Sequence, residues 1–246
     1  MIEKTLKTIT GKLPVKIPTE LNEVTLGQIM AMQQKSDLND IEAISILSGV
    51  AVDELYNVKN IGDFQVFTDA ILALSHQIKQ LYNSEVIPKE VVFILHDAQD
   101  KQMQKNVKVS RDLSVEPAGA FMAARDIIAE EINSHIKQHG DENWQERFNP
   151  SLSACCQVLA YYFFCRATGQ KYNEYQAEEF CNEIKKMRVT EALPIAHHFF
   201  SYYPSLSKPK ISYWRRFLPR WKNGRASSRS KNSSTSTPST HWPAAI

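Results

Sequence analysis

The sequence predicts a mainly α fold with a minor β component: a helical bundle with a short N-terminal strand and a small β-hairpin, followed by a disordered C-terminal tail. Three observations carry this expectation. Apolar residues recur at helical spacing through most of residues 20–83 and 116–203. A β-branched and aromatic run of strand length, Val91–Leu95, separates those two regions. After Pro204 the periodicity stops, and Ser, Thr, Pro and basic residues take over.

Residues 1–83 are predicted to hold the N-terminal strand and the helical bundle. In "PVKIP", Pro14 and Pro18 each fix their own φ and push the preceding residue out of the α region, so this stretch is extended. A helix then starts at Thr25, with Gln28 three residues on as the partner in a capping box, and Leu26, Ile29 and Met30 give it an apolar face. A second helix runs from about Asp40 to Leu47 through Ile41 and Ile44, with Gly49 as its stop. "VDELYNV" makes a short helical turn. The longest clean pattern follows, in which Phe64, Phe67, Ile71, Leu74, Ile78 and Leu81 are spaced 3-4-3-4-3. That seam must face other helices, and it is wide enough for part of it to stay open. Phe64, Phe67, Ile71 and Leu74 are therefore the candidate partner-binding residues.

Residues 84–115 are predicted to form the hairpin. Val91–Leu95 supplies one strand, and "NVKVSRD" (residues 106–112) supplies the other, alternating Val107, Val109 and Arg111 with Lys108 and Ser110. "HDAQDKQMQKN" is its polar connection; the alternative is a long loop around one buried strand.

Residues 116–206 complete the same body with helices. The first runs from about Glu116 to His139, with Pro117 in its first turn, Gly140 at its end and a stripe of Phe121, Ala124, Ile128, Ile132 and Ile136. Others are expected at about 151–168, 173–187 and 190–203. Residues 151–168 are apolar nearly all round, so this helix should be central. The next buries Ala177, Phe180 or Cys181, Ile184 and Met187. Pro194 suits a helix only in its first turn, which sets the last start near Thr190.

The chain has 246 residues and a formal net charge of +2, which conceals a division. Residues 208–246 hold nine of the 29 basic residues and none of the 27 acidic ones, so the remainder carries a net charge of −7. Residues 207–246 read as a basic tail. Within it, Trp214, Arg215, Arg216, Phe217, Arg220 and Trp221 interleave stacking surfaces with phosphate-neutralising charge, as a nucleic-acid anchor would. A membrane surface, an acidic partner or a merely solubilising role would suit the same composition.

No recognisable chemistry emerges, and no catalytic, metal or cofactor residues are assigned. The eight glycines include no G-x-G-x-x-G or phosphate loop, and there is no G-x-S-x-G elbow. His135 and His139 lie four apart with Glu131 one turn earlier, which could present metal ligands, yet helix-end histidines and i,i+4 pairing explain them better. His197 and His198 point about 100° apart on a helix and do not suit one ion. Cys155, Cys156, Cys165 and Cys181 read as buried, reduced thiols whose apolar surroundings make them inert. The N-terminal residues lack the apolar core of a secretory signal, and the most apolar window, "LSACCQVLAYYFFC", is too short for a membrane span. A cytoplasmic protein is expected.

"VKIPTELNEVTLGQIMAMQ" followed by "DIEAISILSGVAVDELYNV" resembles the N-terminal part of the tail assembly chaperone-like proteins of tailed phages and prophages. In that family a short strand leads to a helix opened by (V/L)T(L/Y)GQ and then to an ILSGI..DEL helix-turn. "DLSVEPAGAFMAARDIIAEEI" (Asp112–Ile132) is similar to the variants of Bacteroidetes phages. The likeness follows element order over about residues 14–203, with motifs in three short stretches. It implies a non-enzymatic protein of the bacterial host cytoplasm that binds the tape measure protein, the tail tube protein or both during virion assembly. It also implies that a C-terminal extension, here residues 208–246, can contact the tube protein. The alternative reading is a nucleic-acid-associated regulatory or accessory protein anchored by its basic aromatic tail. Oligomeric state is left open.

Overall fold

A computed structural model describes residues 1–81, 86–96, 101–140, 142 and 144–203, all of which belong to one compact unit. The expected C-terminal tail and its anchor residues lie outside the described residues. The described fold is mainly helical with two small antiparallel sheets.

The chain opens with a hairpin where a single strand was expected. Strand β1 (Ile2–Lys7) pairs antiparallel with β2 (Lys12–Ile17), from Ile2 opposite Ile17 to Lys7 opposite Lys12. Leu6, Val15 and Ile17 point into the core while Glu3, Lys7, Lys12 and Lys16 alternate outward; Lys4 shares the inner face and pairs with Asp63 at 2.9 Å. Pro14 fits because half the N–H groups of a two-stranded sheet face away from the partner. Thr8 closes the turn: it accepts from the Gly11 N–H (3.0 Å) and donates to the Gly11 carbonyl (3.1 Å).

Helix α1 (Leu26–Gln33) carries the anticipated capping box, with Thr25 Oγ1 accepting from Gln28 N–H and Gln28 Oε1 accepting from Thr25 N–H at 2.9 Å. Helix α2 (Asp40–Ser48) has a second box, Asn39 with Glu42, and ends at Gly49 in the left-handed region at φ 74°. Short α3 (Val52–Tyr56) and a 3₁₀ turn, Ile61–Phe64, lead into α4 (Gln65–Leu81).

Strands β3 (Glu90–His96) and β4 (Gln102–Lys108) form the second hairpin, with Val91 opposite Val107 and Phe93 opposite Lys105. Its second strand begins four residues before the expected Asn106 and stops at Lys108. The polar "QMQKN", assigned to the connection from sequence, is in the ladder because pairing with an apolar neighbour outweighs its weak β-propensity. Val109 N–H still donates to the Lys89 carbonyl at 2.8 Å, and beyond it Tyr162 holds the backbone: the phenol accepts from Ser110 N–H (2.6 Å) and donates to the Ser110 carbonyl (3.0 Å).

Helix α5 (Ala118–His139) follows a 3₁₀ turn, Leu113–Val115, with Pro117 at its N-cap. Short α6 (Trp144–Arg147) precedes α7 (Leu152–Thr168), which Ser151 caps through Ala154 N–H and Gly169 ends at φ 73°. Leu159, Ala160, Tyr162 and Phe163 of α7 are fully buried. Helices α1 and α5, the hairpin strand β4, and the later helices all pack on it. The helix expected at 173–187 is two pieces, α8 (Glu174–Glu179) and α9 (Cys181–Ile184). Last comes α10 (Val189–Tyr202), which starts one residue early enough to leave Pro194 beyond the first turn. The first N–H of the helix, from Val189, bonds to the Val24 carbonyl at 2.8 Å, while Pro194, which has no N–H, forgoes the bond to Thr190 and is buried.

That bond belongs to a joint between the two ends of the body. Leu26 and Gly27, the first residues of α1, donate their N–H groups to the carbonyls of Met187 (2.9 Å) and Lys185 (2.8 Å). These are helix-start donors that would otherwise lack partners. Gln28 Nε2 reaches back to the Leu47 carbonyl at 3.0 Å, tying α2 to the same point. Gly27 is required by the approach itself: a Cβ there would lie 3.0 Å from both Lys185 Cβ and its carbonyl oxygen. Gly27→Ala therefore destabilises the protein by about 1–2 kcal/mol in urea denaturation, although Ala is about 1 kcal/mol better than Gly inside an unconstrained helix. A gain in stability would show that the joint yields freely.

Candidate functional site

Phe64, Phe67 and Leu74 of the predicted partner-binding seam are buried in the chain's own core, and Ile71 is half-buried against it. The remaining seam residue with a described side chain, Ile78, is also half-buried. The described side chains of this stripe are therefore engaged in packing α4 onto the body.

An apolar face is left uncovered on the β3–β4 hairpin. Val91, Phe93 and Val107 point inward, where the Phe93 ring packs 5.1 Å from Phe163 and 5.5 Å from Phe180. The alternate residues Val92 and Ile94 are 49 % and 50 % exposed, opposite Asn106 and Gln104. That outer face carries no charge between Val92 and Ile94 or on their cross-strand partners. Each strand has one hydrogen-bonded neighbour, so each also has an edge that no other strand among the described residues pairs.

The hairpin is held to the body by charge as well as packing. Arg166 of α7 donates to the Lys108 carbonyl at 3.2 Å, lies 5.1 Å over the Tyr162 ring and forms an ion pair with the buried Glu116. Burial raises the Glu116 carboxyl above its usual value, and Arg166 opposes that rise. This pair, one residue before the proline expected to open α5, had no recognisable signal in the sequence because its partners are fifty residues apart.

A second concavity runs between the C-terminal half of α5 and the start of α7. Glu131, Ser134, His135, His139, Phe148 and Ser151 are among the residues lining a volume of about 340 Å³. The three residues weighed as metal ligands lie here but act otherwise. Glu131 accepts from Ser151 N–H at 2.6 Å, and the His135 and His139 rings stack with centroids 4.4 Å apart. Among the described residues no group of three His, Cys, Asp or Glu is placed to hold a metal. His135 Nε2 is buried and has no hydrogen-bond partner among the described residues. Burial, then the neighbouring His139, lowers its pKa, with Glu131 opposing. His197 and His198 diverge as expected: His198 meets the Arg111 carbonyl at 3.1 Å, whereas His197 lines a cavity with Trp144, Phe148 and Phe200. Burial and then His198 lower the His197 pKa too.

The cysteines depart from the sequence reading in one respect. All four are free. Burial raises the thiols of Cys155 and Cys165, and a hydrogen bond to Cys181 together with burial raises Cys156. Cys181 is lowered instead, by that hydrogen bond from Cys156 and by Lys185. The expected upward shift of a buried thiol therefore holds for Cys155, Cys156 and Cys165, while at Cys181 the neighbouring Cys156 and Lys185 reverse its direction.

Among the described residues no helix is long and apolar enough to cross a membrane. Comparison with protein-family models, with curated proteins and with solved structures found no match.

The depressed histidines set a pH dependence. Folded His135 and His197 bind protons less readily than in the unfolded chain, so their contribution is complete above 6.5, the ordinary histidine value. It is lost as pH falls through their lower folded values. The urea midpoint of wild type is therefore expected to fall relative to a His135→Gln, His197→Gln variant between pH 7 and pH 5. Comparison at each pH cancels the carboxylates, of which Glu116 and Glu191 act in the opposite sense. Parallel curves would show that neither ring is desolvated in solution.

Proposed function

We propose that this chain is a non-enzymatic tail assembly chaperone-like protein that binds the tape measure protein, the tail tube protein or both during virion assembly in the bacterial cytoplasm. One observation carries the reading. "VVFIL" is apolar at five consecutive positions, the pattern of a strand buried on both faces, yet the described body covers only one of them. The uncovered face, Val92 and Ile94 beside two strand edges that no described strand pairs, suits an extended or helical apolar segment of a partner.

The residues that carry the resemblance have structural roles here. Thr25, Gly27 and Gln28 of "VTLGQ" cap α1, allow its close approach to Lys185 and hold the end of α2. A family that keeps this joint would keep these residue types for a physical reason.

A second reading rests on the sequence of the tail, where residues 208–246 hold nine basic residues and no acid. An accessory protein anchored to nucleic acid by Trp214, Arg215, Arg216, Phe217, Arg220 and Trp221 would bind through these residues.

The full-length protein, co-expressed with a tail tube protein and a tape measure protein, is expected to retain at least one of them through nuclease treatment. Val92→Lys with Ile94→Lys is expected to cut that retention about tenfold or more, the loss of roughly 1.4 kcal/mol or greater in binding. These substitutions replace exposed side chains, so Tm should stay within a few degrees of wild type. Retention of neither protein rejects the chaperone reading. Nuclease-sensitive material that dissociates steeply with salt moves the assignment to nucleic acid.

A further inference from the structure

Cys155 and Cys156 are neighbours on α7 and so point about 100° apart. Cys155 faces α5, with Glu131 as its charged neighbour. Cys156 faces α9, where its Sγ donates to the Cys181 backbone carbonyl at 3.6 Å, close enough for each thiol to act on the ionisation of the other. Lys185, one turn beyond Cys181, is the cation that acts on both sulfurs. Cys156 is 2 % exposed and unreachable from outside, whereas Cys181 is only half-buried. The pair therefore sets a half-buried cysteine, its thiol lowered by Cys156 and Lys185, beside a shielded one that reaches its backbone, which is the arrangement of an attacking and a resolving cysteine. Cys165 lacks such a neighbour; its surroundings are Glu116 and burial.

We propose that Cys156 and Cys181 are a redox-responsive dithiol that closes to an intramolecular disulfide, with a hydroperoxide as the oxidant. The Cys181 thiolate attacks one peroxide oxygen, the O–O bond breaks, and the second oxygen leaves with a proton as water or alcohol. Cys181 is then a sulfenic acid. The Cys156 sulfur gives up its proton and attacks the Cys181 sulfur, the S–O bond breaks, and the hydroxyl leaves as water. Two thiols have lost two hydrogens, and the peroxide has been reduced by two electrons.

The cross-link would join α7 to the segment whose next carbonyls, Lys185 and Met187, receive the start of α1. Oxidation thus fastens the joint between the two ends of the body. It closes a loop over a sequence separation of 25 residues, which restricts the unfolded chain and raises Tm.

The test uses reduced full-length protein treated with hydrogen peroxide under native conditions. Two of the four thiols are expected to disappear, with the mass of the unfolded, desalted protein lower by about two hydrogens. Peptide mapping should recover a Cys156–Cys181 link that dithiothreitol reverses. Cys155→Ser and Cys165→Ser should still form it, Cys181→Ser should not, and the oxidised wild type should melt at a higher temperature than the reduced. Limited alkylation of untouched wild type should modify Cys181 before Cys165, a readout that requires no variant to fold. Retention of all four thiols, a link that appears only after unfolding, a different cysteine pair, or oxidation of Cys181 to sulfinic acid without a link overturns the proposal.

Discussion

The start of α1 docks on the backbone between α9 and α10, and the rest of the body depends on that contact. The bonds from Val189 to Val24, from Leu26 to Met187 and from Gly27 to Lys185 bring residues more than 150 positions apart into one ladder-like contact. Closing so long a loop costs entropy that grows only slowly with length, but the cost must be met before the contact forms. It is met by α7. With apolar residues all round, α7 gives α1, α5, α8, α9 and α10 a common surface, and α1 reaches the joint because Leu26 is fully buried beside it. Hydrophobic burial therefore assembles the two ends, and the hydrogen bonds fix their register.

Much of this was legible in the sequence because it is local. Caps, stop glycines and helical stripes reside in adjacent residues, so α1, α2, α4, α5 and α7 fall where their patterns put them. The differences arise where a distant partner decides. Strand β1 is a run of alternating charge until Val15 and Ile17 pair with it. Gln102–Asn106 has the composition of a loop until β3 supplies a ladder. Pro194 lies past the first turn of α10, where burial accommodates it, and the first N–H of that helix meets the Val24 carbonyl, a partner no local pattern shows.

The same division governs the candidate site. Periodicity showed correctly that the α4 stripe is apolar, but periodicity does not distinguish a seam that meets the chain's own core from one that meets a partner. In the structure the core claims Phe64, Phe67 and Leu74. The properties of Glu116 and Cys181 were equally hidden. A buried carboxylate beside Arg166 and a thiolate-favouring cysteine beside Cys156 are pairings across 50 and 25 residues, and no spacing rule predicts them.

The hairpin's outward face follows from the same physics. A strand's side chains alternate, so a shift of one residue would exchange the two faces completely. Phe93 settles the choice: its ring is held between Phe163 of α7 and Phe180 at the α8–α9 break, and Val91 enters beside it. Tyr162 and Arg166 then fix the end of β4 through Ser110 and Lys108. With both strands pinned, Val92 and Ile94 have no route to the core. Fully burying side chains of this kind is worth about 1.5–3 kcal/mol each, and roughly half of that remains to be gained at each position. A partner able to cover them would gain it without deforming the body, since the constraints that expose this face lie entirely on the other one.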